Sequence, residues 1–106
     1  MNLDYLIAGA ILHDLDKPLI YHRKQDKVVY SEVGEMIPHG TYGVHVALEL
    51  GLPLEIVHVI ITHTAYCAVN PSTVEGVIIQ KAEILVGSAM TTPTRFTEPT
   101  WKYPHG

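Results

Sequence analysis

Apolar side chains recur at helical spacing in four stretches of this sequence. In residues 3–14 they follow one another at intervals of three and four, which is the spacing of one face of an α-helix. Similar spacing returns in residues 42–50 and 54–63, and the longest run covers residues 74–88. The pattern therefore predicts a chain built mainly from helices.

Residues that begin and end helices stand at the borders of these runs. Asn2 is a suitable N-cap for the first helix, and Gly51 can end the second in a left-handed conformation. Pro53 is expected at the first position of the third helix. Ser72 and Glu75 have the spacing of a capping box, which predicts the start of the fourth.

Residues 19–30 break the helical pattern. Two short β-favouring runs enclose a polar centre from His22 to Lys27, so a small hairpin and an ordered loop both fit. The predicted fold is an all-α bundle of four to five helices with a small β-hairpin or loop insertion. Residues 1–90 are expected to form this helical domain, followed by a proline- and aromatic-rich tail over residues 91–106.

Length and hydrophobicity together favour self-association. The 106-residue chain has room for one domain. Hydrophobic residues make up 47% of it, and the mean hydropathy is +0.17. Because a small domain buries a smaller share of its surface than a large one, we expect a homo-oligomer.

Charge and cysteine content indicate which binding partners and which cellular compartment to expect. The formal net charge is −4 and the basic runs are short, whereas nucleic-acid binding needs a cluster of cations, so no nucleic-acid partner is expected. A single cysteine, Cys67, excludes an internal disulfide and fits a reducing cytoplasm. The apolar N-terminal run has neither the basic start of a signal peptide nor the length of a membrane span. We therefore expect a cytoplasmic protein that does not contact a membrane.

The candidate chemistry rests on histidine. Seven histidines occur in the chain, at positions 13, 22, 39, 45, 58, 63 and 105. Asp14, His39 and His63 each lie at the end of a different predicted helix, and such ends can converge on one pocket in a helical bundle. Two imidazoles with a carboxylate suit Fe, Mn, Co, Ni or Zn. His13 directly precedes Asp14 and adds a fourth candidate ligand, so one or two divalent transition-metal ions are expected.

Several short motifs in this order resemble those of the HD superfamily of metal-dependent hydrolases. They are His13–Pro18, His39–Gly43, Gly51–Pro53, Ile60–His63 and Ala82–Glu83. Together they extend over most of the chain, and the fold that the resemblance implies is an all-α bundle. This expectation agrees with the one drawn from hydrophobic periodicity.

The resemblance also implies roles for individual residues. His13 and Asp14 would be metal ligands, with Asp14 able to bridge two ions, and His39 and His63 would hold the second ion. Lys17 matches a position that contacts an anionic substrate or orients the catalytic group. The family usually has a further ligand histidine upstream of the His-Asp pair, and no histidine precedes His13 here.

A second departure from the family pattern is Glu83, which stands where the family usually has aspartate. Its interpretation is open between a metal ligand, an acid or base, and a solvated charge. His105 is a candidate for the missing ligand. A mononuclear site, an altered dinuclear site and a non-catalytic domain all remain open on these grounds.

Other polar residues are candidates for the surroundings of this site. His22 and Arg23 could meet an anionic substrate, and Tyr66 could line the pocket. Asp16 could orient a ligand histidine, although stabilising a turn is the commoner role of an aspartate there. His45 is expected to be a packing or surface residue, with an acid–base role as the alternative.

The function expected from the sequence is metal-dependent hydrolysis, of the phosphohydrolase type, of a small anionic metabolite. Lys17 and Glu83 would be the catalytic side chains besides the metal ligands. Two alternatives remain open: a di-iron oxygenase, lyase or hydratase built on the same fold, and a degenerate regulatory or binding domain without catalysis.

Overall fold

The structure, a computed structural model, describes residues 1–64 and 67–91 of the chain. In chain order the elements are α1 (Leu3–Leu12), α2 (Lys17–Ile20), β1 (Tyr21–Lys24), β2 (Lys27–Tyr30), α3 (Glu32–Met36), α4 (Thr41–Glu49), α5 (Leu54–Thr62) and α6 (Val74–Thr91). The predicted all-α class with a small insertion is confirmed. Tyr66 and the predicted tail, apart from Thr91, lie outside the described residues.

Helix α5 is the centre of the bundle, and α1, α4 and α6 all pack against it. Five of its nine residues are buried, because its sequence is apolar on nearly every side. The core cluster consists of Ala47 from α4 and Ile56, Val57 and Ile60 from α5. Side chains from α1, among them Leu12, pack against this cluster.

Close contact between α1 and α5 depends on a glycine. A Cβ atom at Gly9 would lie 2.6 Å from Cγ1 of Val59, which is too near for two carbon atoms. The missing side chain lets the two helices approach. Each of them ends at a histidine, because His13 is the C-cap of α1 and His63 is the C-cap of α5.

Of the four predicted helix-end signals, those at Asn2 and Gly51 are confirmed, the capping box is wrong, and Pro53 lies one residue before its helix. Asn2 caps α1 by accepting a hydrogen bond from the backbone N–H of Tyr5, and Gly51 has a φ of +68°. The capping box of Ser72 and Glu75 does not form. The hydroxyl of Thr73 instead accepts the backbone N–H of Gly76.

The two residues of the expected capping box make other contacts. The backbone N–H of Ser72 donates to Nε2 of His58 on α5, at 2.8 Å. The carboxylate of Glu75 accepts the backbone N–H of Asn2. Tertiary partners therefore replace the local ones, and they tie the start of α6 to α5 and to the N-terminus.

Two predicted boundaries are off by one or two residues. Helix α1 ends at Leu12, so Asp14 follows the helix instead of lying in its last turn. Pro53 has an extended ψ of 148° and precedes α5, which begins at Leu54. Both residues therefore lie in the segment next to the helix, Asp14 after α1 and Pro53 before α5.

The insertion is an antiparallel hairpin in which Tyr21 pairs with Tyr30. Their rings stack with centroids 5.4 Å apart. The short helices on either side, α2 and α3, are not evident from periodicity because each has five residues or fewer. Ser31 joins them, since its hydroxyl donates to the carbonyl of Leu19 and accepts the backbone N–H of Gly34.

Helix α1 exposes an apolar stripe on the side opposite to α5. Leu3, Ile7 and Ile11 are 58%, 50% and 70% exposed, and their spacing puts them on one face. The self-association expected from composition stays a prediction. Among the helices of the described residues, none is both long and apolar enough to cross a membrane.

The contact at Gly9 leads to a stability prediction. We expect Gly9→Ala to lower the free energy of unfolding by about 1–3 kcal/mol, because the added methyl group meets Val59. The matched control is Gly87→Ala in α6, where an added Cβ meets nothing within 4 Å. That change should raise stability by up to about 1 kcal/mol through helix propensity. Urea unfolding followed by circular dichroism measures both, and equal effects of the two substitutions would contradict the packing argument.

Candidate metal centre

Five side chains from four parts of the fold meet at one end of the bundle. His13 and Asp14 follow α1, His63 follows α5, and His39 lies just before α4. Glu83 projects from α6. These residues divide into two groups of possible ligand atoms, Asp14 with His39 and His63, and His13 with Asp14 and Glu83.

The first group has the dimensions of a metal site. Nε2 of His39 lies 3.0 Å from Oδ1 of Asp14 and 3.0 Å from Nε2 of His63, and the third spacing, from His63 to Asp14, is 3.6 Å. Two ligand atoms about 2.1 Å from one ion are about 3.0 Å apart at a right angle and about 3.4 Å apart at a tetrahedral angle. The three atoms therefore fit one face of a transition-metal coordination shell.

The second group uses the other oxygen of the same carboxylate. Nε2 of His13 lies 3.2 Å from Oδ2 of Asp14 and 3.2 Å from Oε2 of Glu83. Asp14 thus offers Oδ1 to one group and Oδ2 to the other, which is how a bridging carboxylate holds two ions. Lys17 lies beside this group, with Nζ 3.5 Å from both Asp14 and Glu83.

Histidine rings pack edge to face around the first group. The ring of His63 makes T-shaped contacts with those of His13 and His39, with centroids 4.9 and 4.8 Å apart. His63 is only 1% exposed. The Nε2 atoms of the three rings face the carboxylate of Asp14. The edge-to-face contacts limit the rotation of the rings and so hold these atoms in place.

The protonation equilibria show how strongly this site attracts positive charge. Burial alone would raise the pKa of Asp14, but hydrogen bonds from His13 and His39 and the nearby charge of Lys17 hold that pKa well below its usual range. Burial opposes the charged form of His13, yet the carboxylates of Asp14 and Glu83 raise its pKa to about 10. In a metal-free protein, protons therefore supply the positive charge that these carboxylates require.

The pKa values of the remaining members of the two groups are shifted in different directions. Burial opposes protonation of His39 as well, but Asp14 and Asp16 raise its pKa. Burial lowers the pKa of His63, and the positive charges of its neighbours His39 and His13 lower it further. The hydrogen bond from His13 lowers the pKa of Glu83. His63 is thus the imidazole best prepared to bind a cation without first losing a proton.

Some residues proposed from the sequence lie apart from both groups. His22 and Arg23 are exposed on β1, where Arg23 donates to the carbonyl of Gln25 and lies 4.0 Å from Asp26. Their role in substrate binding stays a prediction, as does that of Tyr66. His45 is exposed on α4, with its ring 6.0 Å from that of Tyr42.

Asp16 belongs to the site more closely than its sequence position indicates. It is 1% exposed, and its carboxylate accepts hydrogen bonds from Nδ1 of His39 and from the backbone N–H of Gly40. Burial opposes its charged form, but these hydrogen bonds and the charge of His39 lower its pKa. The sequence left two roles open for Asp16, and a partner 23 positions away could not be read from local spacing.

Comparison with known proteins identifies the family. A protein-family model described as HD domain matches residues 1–86, which include every member of the two ligand groups. The chain belongs to the HD-domain family. The resemblance seen in the ordered motifs is confirmed, and divalent-metal binding is a property of HD domains.

One curated relative of this HD domain is the dihydroneopterin 2',3'-cyclic phosphate phosphodiesterase of Methanocaldococcus jannaschii. It is 31% identical over 84 residues, which are 78% of this chain and 34% of the relative. The chain therefore spans about a third of the length of that protein. No solved structure matches the chain at a significant level.

The shared carboxylate leads to a prediction about metal content. We expect Asp14→Ala to lose the ions of both groups, whereas Glu83→Ala should lose the ion of the second group and keep that of the first. His45→Ala is the control, because His45 belongs to neither group. Elemental analysis of purified, folded protein after metal loading gives the ions per chain. Full metal content in Asp14→Ala would contradict the site.

The raised pKa of His13 leads to a prediction about pH. An imidazole must be neutral to bind a metal ion, so protons compete with the ion below the pKa of about 10. The apparent metal affinity should therefore fall as the pH falls through the neutral range, by about tenfold per pH unit for each proton displaced. Calorimetric titrations at pH 7 in buffers of different ionisation enthalpy count those protons. Metal binding without proton release at that pH would contradict the prediction.

Proposed function

We propose that this HD domain is a metal-dependent hydrolase of a phosphate ester carried by a small anionic metabolite. The observation that carries the proposal is the division of five side chains into two ligand groups that share Asp14. Membership of a hydrolase-rich family and likeness to a phosphodiesterase add support. The fold alone would not, because one fold can host many reactions.

The residues fit a divalent transition metal by both spacing and chemistry. Imidazole and carboxylate ligands suit Fe, Mn, Co, Ni and Zn. We infer that Asp14, His39 and His63 hold one ion and that His13, Asp14 and Glu83 hold another. When bound, such ions supply a water of lowered pKa and a Lewis acid for the phosphoryl oxygens.

The side chains around the ions would bind and orient the substrate and would transfer a proton from the attacking water to the leaving oxygen. Lys17, whose Nζ lies between Asp14 and Glu83, can donate to a phosphate oxygen that approaches the same edge of the site. Glu83 is about 29% exposed at its side chain and can pass a proton to or from solvent. Its oxygen Oε1 contacts Lys17 and its oxygen Oε2 contacts His13. Oε1 can therefore exchange a proton while Oε2 keeps its place in the ligand group.

We infer that the substrate class is a phosphodiester. The relative is named for hydrolysis of a cyclic phosphate diester, and a diester presents one negative charge to a site already rich in carboxylates. The exposed hairpin residues His22 and Arg23 remain proposed contacts for the rest of the substrate.

The test of this function is hydrolysis by metal-loaded protein. After loading with Fe²⁺, Mn²⁺, Co²⁺, Ni²⁺ or Zn²⁺ in turn, the protein is assayed with bis(p-nitrophenyl) phosphate and with a nucleoside 2',3'-cyclic phosphate. We expect hydrolysis of a diester that EDTA abolishes and added metal restores. Asp14→Asn should lower kcat/KM by about 10³-fold, because several kcal/mol of transition-state stabilisation depend on the ions.

The matched control for this substitution is Asp4→Asn. Asp4 is exposed in the first turn of α1, at the opposite end of that helix from His13, so kcat/KM should stay unchanged. Metal-loaded protein that binds these diesters without hydrolysing them would contradict the proposal and favour a binding domain. Consumption of oxygen by the iron form on addition of substrate would contradict it in favour of an oxygenase.

A further inference from the structure

Each of the three histidines in the site directs Nε2 inwards, and each uses Nδ1 for a hydrogen bond that keeps it there. Nδ1 of His13 lies 2.7 Å from the carbonyl oxygen of Ala10, and Nδ1 of His63 lies 2.5 Å from that of Ile60. A carbonyl oxygen can only accept, so in both rings the Nδ1 atom carries a proton. The lone pair of a neutral ring is then on Nε2, where a metal ligand needs it.

The Nδ1 atom of His39 has no helix carbonyl to donate to, because His39 lies at the N-terminal end of a helix and not at a C-terminal end. His13 and His63 are C-caps, and a helix C-terminus offers carbonyl groups without helical partners. His39 precedes α4, whose N-terminus offers only N–H groups. Gly40, at the N-cap, has a φ of +100° and no side chain that could accept a hydrogen bond. An acceptor for His39 must therefore come from another part of the chain.

Asp16 supplies that acceptor. One carboxylate oxygen lies 2.5 Å from Nδ1 of His39, and the other accepts the backbone N–H of Gly40 at 2.7 Å. The single side chain thus satisfies the ring and an unpaired N–H group at the start of α4. Its backbone is held as well, because its carbonyl accepts hydrogen bonds from the N–H groups of Leu19 and Ile20.

The ordinary reason for an aspartate at this position does not apply. Asp16 is the N-cap residue of α2, yet its side chain makes no capping hydrogen bond there. A buried carboxylate is costly unless it is paired and hydrogen-bonded. The partners of this one are His39 and the backbone N–H of Gly40, and the backbone of Tyr42 also helps to lower its pKa. The arrangement is that of a carboxylate that orients a metal-binding imidazole from behind.

We propose that Asp16 is a positioning residue that keeps the proton of neutral His39 on Nδ1 and so presents its Nε2 lone pair to the ion shared with Asp14 and His63. The inference deepens the proposed metal site and rests on it. It assigns to Asp16 no contact with substrate. It also explains why the carboxylate of Asp16, which is only 1% exposed, is buried behind the ring of His39.

The first test reads the ring itself and needs neither metal nor substrate. Long-range ¹H–¹⁵N spectra of metal-free protein, recorded at a pH high enough for His39 to be neutral, distinguish a proton on Nδ1 from one on Nε2. The signal is assigned by its loss in His39→Gln. We expect the proton on Nδ1. A neutral His39 with its proton on Nε2 would overturn the proposal, whatever the variants do.

The second test replaces Asp16 by asparagine. The amide has one accepting oxygen for two donors, Nδ1–H of His39 and N–H of Gly40, so its NH₂ group must face one of them. When it faces the ring, Nδ1 becomes the acceptor and the proton moves to Nε2, where it blocks the metal. We expect Asp16→Asn to weaken metal binding by about 10- to 100-fold, measured by competition with a chelator, while Asp4→Asn changes it less than about twofold.

A merely structural role for Asp16 predicts a different result. In that case Asp16→Asn would lower the melting temperature but leave both the metal affinity of the folded protein and the proton position on His39 unchanged, which would overturn the proposal. If Asp16→Asn does not fold, the spectrum of the unsubstituted protein still decides. If the protein hydrolyses no phosphate ester but shows both expected effects, the proposed function fails and the role of Asp16 stands.

Discussion

The carboxylate of Asp14 is the contact on which the rest of the site depends, because its two oxygens belong to two different sets of ligand atoms. Oδ1 meets imidazoles that come from the ends of α4 and α5, and Oδ2 meets one from the end of α1. No other side chain of the described residues is in both ligand groups. A shift in the position of the C-terminal end of α1 would move Asp14 and would therefore alter both ligand groups at once.

Close helix packing is what brings these ends to one place. The absence of a side chain at Gly9 lets α1 approach α5 at Val59, and the two helices then end side by side at His13 and His63, whose rings touch. Gly43 has a similar relation to Ile60, where an added Cβ would lie at 3.1 Å. Small residues at helix crossings thus set distances within the metal centre, although none of them contacts it.

The sequence predicted the parts of this structure that local pattern controls. Hydrophobic periodicity located α1, α4, α5 and α6, although the apolar stripe of Leu3, Ile7 and Ile11 that predicted α1 is exposed and does not face the core. The pairing of Ser72 with His58 was missed, since it joins residues 14 positions apart and a local capping box was the simpler prediction. The contact of Glu83 with His13 spans 70 positions. Motif order indicated that Glu83 belonged near the site, but only the packing of α6 on α1 shows which histidine it meets.

The core and the metal centre are held by different forces, and this separation has a consequence for the metal-free protein. The core depends on apolar contacts such as those of Ala47 and Ile60, which are fully buried and insensitive to charge. The centre gathers the carboxylates of Asp14, Asp16 and Glu83, of which Asp14 and Glu83 lie beside the ammonium group of Lys17 and Asp16 lies behind His39. Without an ion, protons on His13 and His39 offset the excess of negative charge, because the nearby carboxylates raise the pKa of both rings. Those protons occupy the Nε2 positions that a metal would take. Metal binding at this centre would therefore exchange protons for an ion, while the apolar contacts of the core carry no charge that this exchange could alter.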